Sequence, residues 1–180
     1  ELPFDARYAS STAYLPSGIG WYRKSFEAPA SYNGKIVSIL FDGVYNNSDV
    51  WINGHHLGKR PSGYTSFLYD LTPYLNIGKA NVIAVRVDHS LYADSRWYSG
   101  SGIYRHVWLN VTNKVHVAPW GTFVTTPVIS KDIARVNVEN TILNTTSGPQ
   151  NLEILSVIYS QDGKEVSRVK AVQVVPVGES

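Results

Sequence analysis

Apolar and polar positions alternate along this chain with the period of a strand. Nowhere do apolar residues recur at i, i+3, i+4 and i+7 over several turns without Gly or Pro intervening. Residues 35–40 (KIVSIL) are rich in branched side chains, and residues 49–52 (DVWI) alternate polar with apolar, so both are predicted strands. The dipeptide Asn53-Gly54 follows directly and suits a tight hairpin turn, in which both central residues need positive φ. His55 and His56 then begin a return strand, and Trp51 is expected to face inward or toward a partner. Residues 81–88 (NVIAVRVD) put Val82, Ala84 and Arg86 on one face and Ile83, Val85 and Val87 on the other. Residues 103–111 (IYRHVWLNV) read as a second run of this kind, after the glycine-rich stretch 99–102. Strands apolar on both faces need cover on both, which predicts a two-sheet jelly roll ending near Thr112.

Beyond residue 115 the pattern changes. VTTPVI, ARVNVENTIL, LEILSVIY and VKAVQVV read as short antiparallel strands separated by the turns SKD, NTTSGPQ and QDGK. An immunoglobulin-like unit holds about seven strands. Four or five fit here, so the chain is expected to stop inside that unit. The predicted fold class is all-β: a jelly-roll β-sandwich over residues 1–114, then an immunoglobulin-like β-sandwich, incomplete, over residues 115–180.

Composition narrows the chemistry. Apolar residues make up 43% and charged residues 17% of the chain, enough for a core that folds without metal or disulfide. The absence of Cys removes disulfides, thiolate zinc sites and cysteine nucleophiles together. No apolar run approaches the length of about 18 residues that spans a bilayer, so no membrane partner is expected. The net charge of +2 is scattered rather than clustered, which speaks against nucleic acid and for a neutral ligand. The 12 Tyr and 5 Trp suit strands, and they also suit the flat faces of sugars. The opening ELPFDAR is not a signal peptide and looks processed, and with the lack of Cys it suggests a periplasmic or extracellular setting. No cofactor is called for, and no oligomeric state is assigned.

Two aromatic segments are candidates for binding. Residues 20–26 (GWYRKSF) place bulky rings beside cations, either as a stacking platform or as an edge strand with core aromatics. Residues 94–102 (DSRWYSGSG) concentrate a carboxylate, a guanidinium, two aromatic rings and hydroxyls between two strong strands. Aromatic faces pack on the C–H side of a pyranose, while Arg and Asp bind its hydroxyls in bidentate fashion. Asp94, Arg96, Trp97 and Tyr98 are therefore the candidate substrate-binding residues. The alternative is that Trp97 and Tyr98 plug the sandwich end and Asp94 pairs with Arg96. His55, His56, His89, His106 and His116 lack metal-ligand spacing and are assigned exposed or packing roles. The carboxylates Asp42, Asp49, Asp70 and Asp94 show no local pairing of the kind glycoside hydrolysis requires, so no catalytic residue is named.

Five segments in order, LPSGIGWYRKSF (15–26), FDGVYNNSDVWINGHHLG (41–58), GYTSFLYDLTPYL (63–75), NVIAVRVD (81–88) and RWYSGSGIYRHVWL (96–109), resemble the amino-terminal sugar-binding domain of glycoside hydrolase family 2. That family includes β-galactosidases, β-glucuronidases and β-mannosidases. The resemblance covers residues 1–112, and the remainder is more weakly similar to the immunoglobulin-like domain that follows in the family. It implies a TIM barrel, absent here, whose two glutamates cleave terminal β-glycosidic bonds with retention. No Asn-Glu dipeptide of the sort preceding the family's acid glutamate occurs, so no catalytic glutamate carries over. The resemblance further implies that a loop of the first domain walls the active-site pocket, and residues 94–102 match it. The opening reads Leu2-Pro3-Phe4-Asp5 without the His often found before the Asp, which removes support for a site role at Asp5. The reading is a non-catalytic front part of a β-galactosidase-like enzyme, with a β-galactoside or related β-glycoside and the missing barrel as partners. Its rivals are a stand-alone carbohydrate-binding module or lectin and a purely structural spacer.

Overall fold

In the computed structural model, the described residues are 18–91 and 100–180. The chain divides into two compact units, the first ending at Val111 and the second beginning at Thr112. Strands in the first half are β1 (Ile19–Glu27), β2 (Ile36–Phe41), β3 (Val44–Tyr45), β4 (Ser48–Ile52), β5 (His55–Arg60), β6 (Phe67–Asp70), β7 (Ala80–Asp88), β8 (Gly102–Ile103) and β9 (Val107–Thr112). They form a four-stranded sheet ordered β1-β7-β4-β5, a three-stranded sheet ordered β6-β2-β9, and the short pair β3-β8.

Alternation decides which side chains meet between the sheets. Val50 and Ile52 of β4 and Ile83, Val85 and Val87 of β7 point to one face, where they join Val37, Ile39 and Phe41 of β2 and Phe67 of β6 in one buried cluster. Phe41 and Phe67 stack with centroids 5.0 Å apart. Each such side chain contributes about 2 kcal/mol by leaving water, and because the cluster draws on both sheets, this is a sandwich. All strand pairs recorded in the four-stranded sheet are antiparallel.

The hairpin at Asn53-Gly54 forms as expected. Ile52 pairs with His55, and the two intervening residues have φ of 50° and 86°. Asn53 fixes the turn through its side chain, accepting from Val82 N at 2.9 Å and donating to Tyr74 O and Asn81 Oδ1, each at 2.8 Å. Trp51 points to the outer face of the sheet, half-buried against Trp21 and His56. The edge-strand reading of residues 20–26 holds for β1, whose Tyr22 and Phe26 pack against the core. Trp21 departs from that reading, because alternation sends it outward.

Residues 103–111 are not one strand. The chain pairs as β8, leaves the ladder at residues 104–106, and resumes as β9. Tyr104 accounts for the break, since its hydroxyl donates to Gly63 O at 2.8 Å while Asp42 N donates to His106 O at 3.0 Å. Nor is β9 covered on both faces: Val107, Trp108, Leu109 and Val111 are all exposed in this edge strand.

The second unit holds β10 (Val115–Ile129), β11 (Ala134–Asn144), β12 (Gln150–Tyr159), β13 (Glu165–Val175) and β14 (Gly178–Glu179). These lie in sheets ordered β10-β11-β14 and β12-β13. The three predicted turns fall between the strands, as in Ser130, whose Oγ accepts from the backbone N–H groups of Asp132 and Ile133. Buried Asn144 of β11 links the sheets by donating to Val175 O of β13 at 3.2 Å. No helix among the described residues is long and apolar enough to cross a membrane.

Candidate functional site

Asp94, Arg96, Trp97 and Tyr98 lie outside the described residues, which resume at Gly100. The segments on either side, up to Leu91 and from Gly100, are described, and each is held by side chains. Asp88 ends β7: its Oδ1 accepts from Ser90 N at 3.1 Å and Ser90 Oγ at 2.5 Å, turning the chain away from the ladder. Its Oδ2 accepts from Arg86 Nη2 at 2.7 Å. The Ser90 hydroxyl, then the Ser90 amide and Arg86, hold the Asp88 carboxyl down at a pKa of about 2.

One residue further on, buried His89 is hydrogen-bonded through Nδ1 to the hydroxyl of buried Ser101, joining the two stems directly. His89 N also donates to Gly18 O at 2.9 Å. Beyond Ser101, Gly102 takes φ of 112°, a conformation open to glycine, and pairs with Tyr45 in the β3-β8 ladder. Ile103 N then donates to the Tyr22 hydroxyl at 3.3 Å.

An aromatic wall stands beside these stems. Tyr45 meets His89 edge-on at 5.1 Å and Tyr64 at 5.4 Å. The close approach depends on glycine, since a Cβ at Gly63 would lie 2.2 Å from the Tyr45 ring and one at Gly43 would lie 2.6 Å from the Tyr104 ring. Trp108 Nε1 donates to Asp42 Oδ2 at 2.8 Å, and its ring lies 5.3 Å from His106. Asn46 adds a polar group whose buried Oδ1 accepts no hydrogen bond among the described residues. Orphaned acceptors of this sort are rare and suit a donor from a ligand.

The site thus holds groups that the sequence reading did not name as binding residues: Tyr45, Asn46, Tyr64, Ser101 and Tyr104, together with His89, to which it gave an exposed or packing role. The signals for Tyr45 and Asn46 were their place between two predicted strands and within the segment 41–58 that carries the family resemblance. The candidate carboxylates have structural partners: Asp42 the Trp108 indole, Asp49 the His56 ring at 2.9 Å, and Asp70 the Thr72 amide at 2.8 Å. Among the histidines, His55 stacks on Tyr74 at 4.7 Å and His56 meets Trp51 at a tilt, 5.0 Å away. Among the described residues no three His, Cys, Asp or Glu side chains gather to hold a metal.

Residues 3–113 match the family described as glycosyl hydrolases family 2, sugar binding domain. The chain belongs to glycoside hydrolase family 2. Its family 2 relatives include β-galactosidase BoGH2A of Bacteroides ovatus, 49% identical over 157 residues, a match covering 87% of this chain and 18% of the relative. A β-glucuronidase of Formosa agariphila is 32% identical over 90% of this chain and 19% of its own length. Among solved structures, a family 2 member from Bacteroides cellulosilyticus superposes with a TM-score of 0.91 at 39% identity, covering 94% of this chain and 23% of the other. The chain therefore spans about a fifth of the length of these family 2 proteins. The family 2 match includes both loop stems, the aromatic wall and residues 92–99.

Proposed function

We propose that this chain is the non-catalytic front part of a β-galactosidase-like family 2 enzyme that hydrolyses terminal β-glycosidic bonds with retention. The observation that carries this is its likeness, at 49% identity, to a β-galactosidase of which it spans 18%. In this reading the residues that attack the anomeric carbon and protonate the leaving oxygen belong to a TIM barrel elsewhere in the polypeptide, on which this part docks. The 92–99 loop, held at its base by the His89–Ser101 clasp, walls the substrate pocket. Arg96 and Asp94 bind sugar hydroxyls, and Trp97 and Tyr98 pack on the apolar sugar face. Two hydrogen-bonded stems suit that task, because a positioning loop must not drift relative to its scaffold. The test is turnover of an aryl β-galactoside: the full-length polypeptide is expected to hydrolyse it and the 180-residue chain to show only background. Robust turnover by the repurified chain would overturn the reading.

A further inference from the structure

The sequence holds two Asn-Gly dipeptides, Asn33-Gly34 and Asn53-Gly54, and the structure treats their side chains differently. In each, the peptide nitrogen of a residue without a side chain stands next to a carboxamide carbon with which it can close a five-membered ring. Both glycines have positive φ, 72° and 86°, and at both an added Cβ would meet nothing within 4 Å. Crowding at the glycine therefore does not separate the two sites, and the carboxamides do. Asn53 Oδ1 accepts from Val82 N at 2.9 Å, while its Nδ2 donates to Tyr74 O and Asn81 Oδ1, each at 2.8 Å. Both amide hydrogens and the oxygen are engaged, so Cγ cannot swing toward Gly54 N until three bonds break. Asn33 holds the second position of a type II turn, with φ of −59° and ψ of 128°, closed by Lys35 N donating to Tyr32 O at 3.0 Å. Its side chain is exposed and has no hydrogen-bond partner among the described residues. Ring closure there needs rotation about χ1 and ψ and breaks no side-chain bond.

We infer that Asn33-Gly34 is a site of spontaneous deamidation in the folded chain, and that Asn53-Gly54 is shielded from the same reaction by the hydrogen bonds that fix its hairpin. Gly34 N gives its proton to hydroxide and bonds to Asn33 Cγ, the Cγ–Nδ2 bond breaks, and ammonia leaves with a proton from water. Water then opens the succinimide. Addition at Cγ restores the main chain and leaves an aspartate, whereas addition at the main-chain carbonyl routes the chain through Cγ as an isoaspartate. No oxidant or second substrate is needed. Either product carries a carboxylate, which takes one unit from the formal net charge of +2. The isoaspartyl form also puts one more main-chain carbon into the turn that leads into β2. The inference does not rest on the proposed enzymatic role, since no residue of the candidate site enters it.

Peptide mapping of the full chain tests this, with tandem mass spectrometry and isoaspartyl-specific methyl labelling after incubation in mildly alkaline buffer. Tryptic cleavage puts Asn33 in the peptide 25–35 and Asn53 in the peptide 36–59. In the folded chain the 25–35 peptide should gain one mass unit and accept the methyl label, with Asn53 converting at least about tenfold more slowly, since its three bonds must break first. Incubation in urea should bring the two to comparable rates. Asn33→Gln, whose longer side chain closes a six-membered ring far less readily, should remove the acidic form seen on isoelectric focusing without moving the melting temperature. An unconverted 25–35 peptide, equal conversion of Asn53 in the folded chain, or a difference that persists in urea would each overturn the proposal. So would an acidic form undiminished in Asn33→Gln. Because the readout is mass and charge rather than turnover, its failure leaves the proposed enzymatic role standing.

Discussion

The two ends of β4 and β7 solve the same problem, how to finish a strand pair, in different ways. At the end where Ile52 pairs with Ile83, asparagines close the sandwich. Asn81 is fully buried, accepts from Asn53 Nδ2 and Asn76 N at 2.8 Å, and donates to Asn76 O and Lys79 O at 3.1 and 3.0 Å. Its amide has used every donor and both lone pairs of its oxygen. At the opposite end, where Ser48 pairs with Val87, the Asn46 Oδ1 has no donor among the described residues, and the His89–Ser101 clasp and a tyrosine wall lie at that end. A saturated polar network fixes structure. An unsaturated end leaves an acceptor among the described residues open to a donor.

Breaking the saturated end should have the largest effect on folding. Asn81→Ala strands several buried groups at once and should cost about 3 kcal/mol in urea unfolding, while kcat/KM of the full-length polypeptide stays within about twofold of wild type. A comparable loss of kcat/KM would mean that the two ends are not separable. Cutting the clasp is the converse experiment. Ser101→Ala should cost only about 1–2 kcal/mol, yet lower kcat/KM about fivefold by letting the loop stems drift. Unchanged kinetics would show that the clasp only packs.

The smallest effect is the acid response at Asp88. Its folded pKa of about 2 lies below the unfolded carboxyl value, so its bonds to Ser90 and Arg86 stabilise the fold fully above about pH 4. That contribution disappears as pH falls from about 4 toward about 2. Asp88→Asn should flatten the stability profile in that window, read by unfolding at graded pH, and an unaltered slope would remove Asp88 from the account.

These ends differ in how legible they were from sequence. Asn53-Gly54 announces itself, because a two-residue turn between alternating runs leaves few alternatives. The strands of β2, β4 and β7 were equally plain, since burial of one face imposes a period of two. The stretch 103–111 misled because its apolar content hid a local interruption: the Tyr104 bond to Gly63 spans 41 residues, and no neighbouring residue signals it. The clasp was hidden for the same reason, since only the β3-β8 register brings Ser101 back to His89. Residues 20–26 were read as either a stacking platform or an edge strand with core aromatics, and the alternation that buries Tyr22 and Phe26 turns Trp21 outward. The loop chemistry at Asp94, Arg96, Trp97 and Tyr98 came from composition and family resemblance, and it is there that solution kinetics must decide.

The most direct measurement is the steady-state kinetics of full-length Arg96→Ala on an aryl β-galactoside, read beside its melting temperature. If the 92–99 loop walls the pocket, the lost charge-assisted hydrogen bonds, each about 1.5–3 kcal/mol, should lower kcat/KM by about tenfold or more with the melting temperature unchanged. Wild-type kcat/KM in Arg96→Ala would contradict the account.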